Sequence, residues 1–112
     1  MSDTALLLSD IDPQLAANLN ADEGHVVVGT ATCGDCKRTV KKLGDGGVQV
    51  TPHVIPHDPN HPIIVTVKKH LGVDSIHLPI VFKRGVLAWT GMNLAAIVEE
   101  TRAQRNIATA VA

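Results

Sequence analysis

The chain holds two cysteines, and they stand three residues apart in Cys33-Gly34-Asp35-Cys36. At that spacing one thiolate can attack a disulfide and the second can resolve the mixed disulfide that results. The same C-x-x-C spacing also makes half of a tetrahedral zinc site, so the motif alone leaves both chemistries open. His53 and His57 follow as H-x-x-x-H, the spacing of the second half of a two-cysteine, two-histidine finger. Their setting argues for redox chemistry. Finger histidines project from a helix, and here Pro52 and Pro56 interrupt VTPHVIPHDP while a helical pattern already fills the spacer. The remaining histidines, His25, His61, His70 and His77, share no ligand spacing and read as solvated or edge residues. Lys37 rather than histidine follows Cys36, which excludes covalent haem attachment.

The elements on either side position the pair. His25-Val26-Val27-Val28-Gly29 is a short β-branched run bounded by glycines, the pattern of a buried central strand. From Cys33 to Leu43, Cys36, Val40 and Leu43 recur at helical spacing with Lys37, Arg38, Lys41 and Lys42 on the other faces. Cys33 therefore falls at a helix entrance, where N–H groups and the dipole favour a thiolate, and Cys36 falls on the buried stripe. Cys33 is the expected attacker and Cys36 the expected resolver.

Further along, Val48 to Thr51 and Val54-Ile55 suggest a second strand that Pro52 and Pro56 confine to an edge. Asp58 or Asn60 is expected to cap a helix carrying Ile63, Ile64, Val67 and Leu71, with Pro59 and Pro62 in its first turn. Ile80-Val81-Phe82 and Val86 to Trp89 flank Lys83-Arg84-Gly85 as a hairpin. Asn93 then caps a last helix, with Leu94, Ile97, Val98 and Thr101 facing the core, Glu99, Glu100 and Arg102 facing water, and the tail frayed after Arg105. Residues 1–24 read as an N-terminal extension, a loosely packed leader or capping helix in which Asp12 and Pro13 start a turn carrying Leu15, Ala16 and Leu19. The fold class is α/β: a four-stranded mixed sheet with three flanking helices, ordered β-α-β-α-β-β-α over residues 25–112.

Composition narrows the functions. A chain of 112 residues suits one domain. A net charge of -1 with interspersed signs, and only Trp89 and Phe82 as aromatic rings, gives no footprint for nucleic acid. The N-terminus has no basic n-region or long apolar core, and no stretch is long enough to span a bilayer, so a cytoplasmic location without membrane attachment is expected. There, a close cysteine pair is more often catalytic or metal-binding than structural.

HVVVGTATCGDC, the LPIVF segment around Leu78 and Pro79, and the hairpin leading to Trp89-Thr90-Gly91 resemble, in order and spacing, the glutaredoxin branch of the thioredoxin superfamily. The resemblance covers residues 25–105. Trp89-Thr90-Gly91-Met92 before the last helix is similar to the W-S-G-F segment of NrdH-type redoxins, electron donors to ribonucleotide reductase recharged by thioredoxin reductase. The C-P-Y-C motif and the late Gly-Gly of glutathione-using glutaredoxins are absent. The resemblance implies a thioredoxin-like fold, a cis-Pro79 that presents Leu78 to a substrate, and a monomer with no bound cofactor beyond its redox-active disulfide. It also implies a thioredoxin reductase-like flavoprotein and ribonucleotide reductase as partners. Alternatives are a glutathione-type, thiol-dependent glutaredoxin and a non-catalytic zinc-binding or interaction module. The expected partner-binding residues are Thr32, Gly34, Asp35, Lys37, Leu78, Pro79, Trp89, Gly91 and Met92.

Several of these carry two readings. Asp35 either complements the helix dipole or, beside Cys33, opposes thiolate formation and makes the pair a stronger reductant. Lys37, Arg38, Lys41 and Lys42 form either a solvated face or a docking patch for an acidic partner. Trp89 and Met92 either fill core or form an apolar rim.

Overall fold

The computed structural model describes residues 5–111, with side chains through Ile107. Among them two short helices, α1 (Leu8–Ile11) and α2 (Pro13–Asn18), and a 3-10 turn at Ala21–Glu23 precede β1 (His25–Gly29). Then follow α3 (Gly34–Asp45), β2 (Val50–Val54), α4 (Pro62–Leu71), β3 (Ile80–Lys83), β4 (Val86–Thr90) and α5 (Leu94–Val111). The strands form one mixed sheet in the order β2-β1-β3-β4. β1 runs parallel to β2 and antiparallel to β3, and every residue of β1 is buried.

Strand periodicity divides the core between the two faces. Val26 and Val28 of β1, with Ile80 and Phe82 of β3, pack with Ile63 and Val67 of α4 on one face. Val27 and Val81 point the other way and meet Leu43 of α3, Val48 and Ile97 of α5. β2 lies at the sheet edge, as its proline requires. Gln49 O accepts from His25 N and Ile55 N donates to Gly29 O. Alternation then turns Pro52, which has no N–H, to the free side. At the β3–β4 turn Arg84 and Gly85 have φ of 51° and 83°. Two such residues in succession match the right-handed twist of a two-residue hairpin, and glycine takes the second position without a Cβ penalty.

The N-terminal stretch differs from the loosely packed leader of the sequence reading. Leu8 N donates to Gly85 O and Leu87 N to Leu6 O, both at 2.8 Å, so this stretch lies along the open side of β4. Leu6 and Leu8 are buried in the same cluster as Phe82. An edge strand left bare is an association hazard, and these residues cover it. The next turn follows the expectation: Asp12 Oδ1 accepts from Leu15 N at 3.1 Å, with Pro13 first in α2.

Other differences are local. α4 begins at Pro62 with His61 as its cap, Nδ1 accepting from Ile63 N at 3.2 Å; Asp58 and Asn60 instead close a turn ahead of it. α5 is capped by Asn93 through Ala96 N at 3.0 Å, and it continues past Arg105 to Val111. Leu94 and Val98 of α5 are exposed rather than core-facing.

Glu100 turns inward instead of toward water. Its Oε1 lies 2.9 Å from Lys83 Nζ and 3.2 Å from His25 Nε2. His25 is buried, 7% exposed, with its ring 6.3 Å from that of Trp89. It is thus a core histidine and not a solvated one. Burial pushes His25 below the ordinary histidine value, and Glu100 opposes that shift only in part.

Candidate functional site

The cysteines sit where the central strand hands over to α3. Cys33 is the N-cap of α3, and its Sγ accepts from Cys36 N at 3.1 Å. The two are joined as a disulfide with their Cα atoms 5.3 Å apart, so the protein contains no free cysteine. Cys33 is half-buried, whereas Cys36 is 6% exposed and lies against the end of β1. Cys33 is therefore the more exposed residue of the pair.

Gly29 makes this close packing possible. A Cβ at that position would lie 2.7 Å from Cys36 Cβ and also overlap Cys36 Sγ. In the sequence this glycine marks a strand boundary, and its place four residues before the first cysteine is the one sign of its steric role.

The other predicted residues fall into three groups. Thr32, Gly34, Asp35 and Lys37 surround the disulfide at the start of α3. The Asp35 carboxylate is paired with the Arg38 guanidinium, which also lies over Gly34. That pairing offsets the negative charge expected to act on Cys33 and weakens the strong-reductant reading of Asp35. Lys37 is exposed and has no charged partner among the described residues, whereas Lys41 is paired with Asp45 at 3.0 Å.

Leu78, Pro79 and Gly91 form the second group. The Leu78–Pro79 peptide is cis, and Gly91 N donates to Pro79 O at 2.8 Å. Val28 is paired with Ile80, so extending the antiparallel register by one residue sets Pro79 opposite Gly29, at the sheet end from which the cysteine loop leaves. Pro79 itself is fully buried, and Leu78 is half-buried.

Met92 and Trp89 belong with the core rather than with an exposed rim. Thr39 Oγ1 of α3 lies 3.5 Å from Met92 Sδ, and it also donates to Asp35 O at 2.8 Å. Trp89 packs into the cluster of Val27, Val81 and Ile97, with its ring toward His25 at the start of β1. Four residues of strand separate that end from Gly29, roughly 13 Å. The Trp89 ring is turned toward the end of β1 remote from the cysteines.

Between α3 and the β2 edge runs a groove of about 320 Å³, lined by Val27, Cys36, Val40, Pro52 and Val54 with Lys37 at its rim. It is not legible in the sequence, because its walls come from three separate elements. His57 is a second residue whose position was not foreseen: its Nε2 lies 2.8 Å from Thr32 Oγ1, beside Cys33. His53 belongs to the other layer, in register with Val28. Burial pushes its pKa below the ordinary histidine value, with His61 adding to the shift. His53 thus sits within β2, whereas His57 sits in the loop beyond it, beside Thr32. Among the described residues, no group of three or more His, Cys, Asp and Glu side chains is placed to hold a metal ion. None of the described helices is long and apolar enough to cross a membrane.

A close cysteine pair that forms a disulfide at a strand-to-helix junction is compatible with reversible thiol–disulfide exchange. No protein-family model matches the chain, and neither the curated proteins nor the solved structures include a significant match to it.

Proposed function

We propose that this protein is a small dithiol–disulfide oxidoreductase of the glutaredoxin-like thioredoxin type, nearest to the NrdH-type redoxins. The observation that carries the reading is the Cys33–Cys36 disulfide at the N-terminus of α3, with the more exposed cysteine at the cap and the second one buried behind it. Pro79, set opposite Gly29 at the same end of the sheet, supports it.

In the reducing direction the Cys33 thiolate attacks a target disulfide. A bond forms between Cys33 Sγ and one target sulfur, the target disulfide breaks, and the electron pair leaves with the second target sulfur, which takes a proton from water. Cys36, as thiolate, then attacks Cys33 Sγ and releases the first target sulfur in the same way. The target gains two electrons and two protons, and the Cys33–Cys36 disulfide is left. A dithiol of a thioredoxin reductase-like flavoprotein returns it to the reduced state, with ribonucleotide reductase as the proposed class of target.

Insulin reduction in the presence of NADPH tests the electron source. Turnover with thioredoxin reductase, and little with glutathione and glutathione reductase, is the expected result. Turnover with glutathione alone would move the protein to the glutathione-type alternative, and turnover with neither would count against the redoxin assignment.

A further inference from the structure

The Thr32–His57 contact joins two loops that meet at one end of the sheet. β1 continues through Thr30 and Ala31 to Thr32, and β2 continues through Ile55 and Pro56 to His57. Ile55 N donates to Gly29 O at 2.8 Å, which holds the roots of the two loops together. The His57 loop is a defined turn: Asp58 N donates to Pro56 O at 2.8 Å, His61 N to Asp58 O at 3.0 Å and Asn60 N to Asp58 Oδ1 at 2.9 Å. Both side chains of the pair are exposed, so core packing does not force the contact. It places an imidazole on the residue immediately before Cys33.

A hydroxyl bonded to an imidazole changes its hydrogen-bond role with the charge of the ring. With a neutral ring whose Nε2 carries a lone pair, the Thr32 hydroxyl donates to Nε2. When the ring is protonated both nitrogens donate, so Nε2–H points at Oγ1 and the hydroxyl proton is free to turn elsewhere. Protonation thus brings a positive charge and a released donor to the loop that carries Cys33. Both favour a thiolate over a thiol.

The other charged groups at this end are accounted for. Asp35 is paired with Arg38 on α3, and Lys37 projects into solvent. Asp58 accepts from the backbone of its own turn. His77 lies in the loop before Pro79 and packs against Gly91. His53 of β2 lies in the layer shared with α4, which His61 caps.

We propose that His57 is a positioning residue of the dithiol: through Thr32 it sets the charge and the hydrogen-bond donors beside Cys33, so that Cys33 reacts as a thiolate at lower pH while His57 holds its proton. This rests on the redox reading only in taking Cys33 as the attacking thiol.

The test uses reduced protein carrying Cys36→Ser, which leaves one thiol, and measures the second-order rate of its alkylation by iodoacetamide from about pH 4 to about pH 10. The parent profile is compared with that of the same protein carrying a change at His57. His57→Gln keeps a hydrogen-bonding side chain beside Thr32 but cannot take up the proton. It is expected to move the thiol midpoint upward and slow alkylation about tenfold near pH 6. Thr32→Val is expected to give an intermediate profile, because the charge remains and the hydroxyl is gone. A His57→Gln profile that superposes on that of the parent overturns the proposal, whatever Thr32→Val does. Alkylation needs no target disulfide. A protein that reduces no disulfide yet keeps the His57-dependent profile would sink the oxidoreductase reading and leave the role of His57 standing. The same profile, read at Cys33 by mass spectrometry on the reduced dithiol protein, serves if Cys36→Ser does not fold.

Discussion

Cys33→Ser is expected to abolish disulfide reduction, while Cys36→Ser is expected to hold the target as a stable mixed disulfide. The asymmetry follows from position. Cys33 caps α3 and is the more exposed residue, whereas Cys36 is buried against Gly29. A serine hydroxyl is far less acidic than a thiol and forms no disulfide, so without Cys33 there is no first bond. Without Cys36 the first bond forms and nothing intramolecular breaks it. Insulin reduction reads the first variant, and non-reducing electrophoresis with a disulfide-bearing target reads the second. Full turnover by Cys33→Ser would show that the attack takes place elsewhere, and a Cys36→Ser protein that forms no mixed disulfide would reverse the assigned roles.

Gly29→Ala is expected to be the most disruptive single-methyl change near the site. The added Cβ would meet Cys36 Cβ at 2.7 Å, closer than real Cβ atoms approach. Neither side can yield easily. Gly29 ends the buried strand at the centre of the sheet, and Cys36 is held in the first turn of α3 by its own disulfide. Overpacking of this kind typically costs about 1 to 3 kcal/mol. Part of the cost is relieved if α3, which carries both cysteines, shifts away from β1, and that shift uncovers the Cys36 sulfur. The oxidised variant is therefore expected to lose stability in denaturant and to be reduced more readily than the parent. Unchanged values for both would mean that the approach of strand and helix is looser than described.

Those three variants also mark what local sequence can and cannot show. The strand from His25 to Gly29 was legible because a β-branched run bounded by glycines has few other folded outcomes, and the cysteines at the head of α3 followed from helical spacing. Asn93 and Asp12 were legible as caps because a cap is a contact between residues three apart. The contacts that escaped are long-range ones. Leu6 and Leu8 read as a short apolar run in a leader, since their partners, Gly85 and Leu87, lie far along the chain. Glu100 read as a solvated face because its own helix offers no reason to turn inward; the reasons are Lys83 and His25, from two strands. Trp89 was ambiguous in sequence and its ring is settled by the His25 ring at the end of the sheet away from the cysteines. At the site, Arg38 neutralises Asp35 across one turn of helix, a pairing open to sequence reasoning by its spacing alone. Thr32 and His57 meet only because β1 and β2 are parallel and end together.

The central claim is that Cys33 and Cys36 exchange two electrons reversibly with disulfide partners. Equilibration of the protein against glutathione buffers of graded potential, with thiols counted by alkylation and mass, tests it most directly. The account predicts one two-electron transition, both thiols appearing together, between about -270 and about -200 mV, the range spanned by thioredoxin and the glutaredoxins. A transition near the DsbA value of about -120 mV, or a reduced pair that binds one zinc ion and does not reoxidise within the chain, would contradict it.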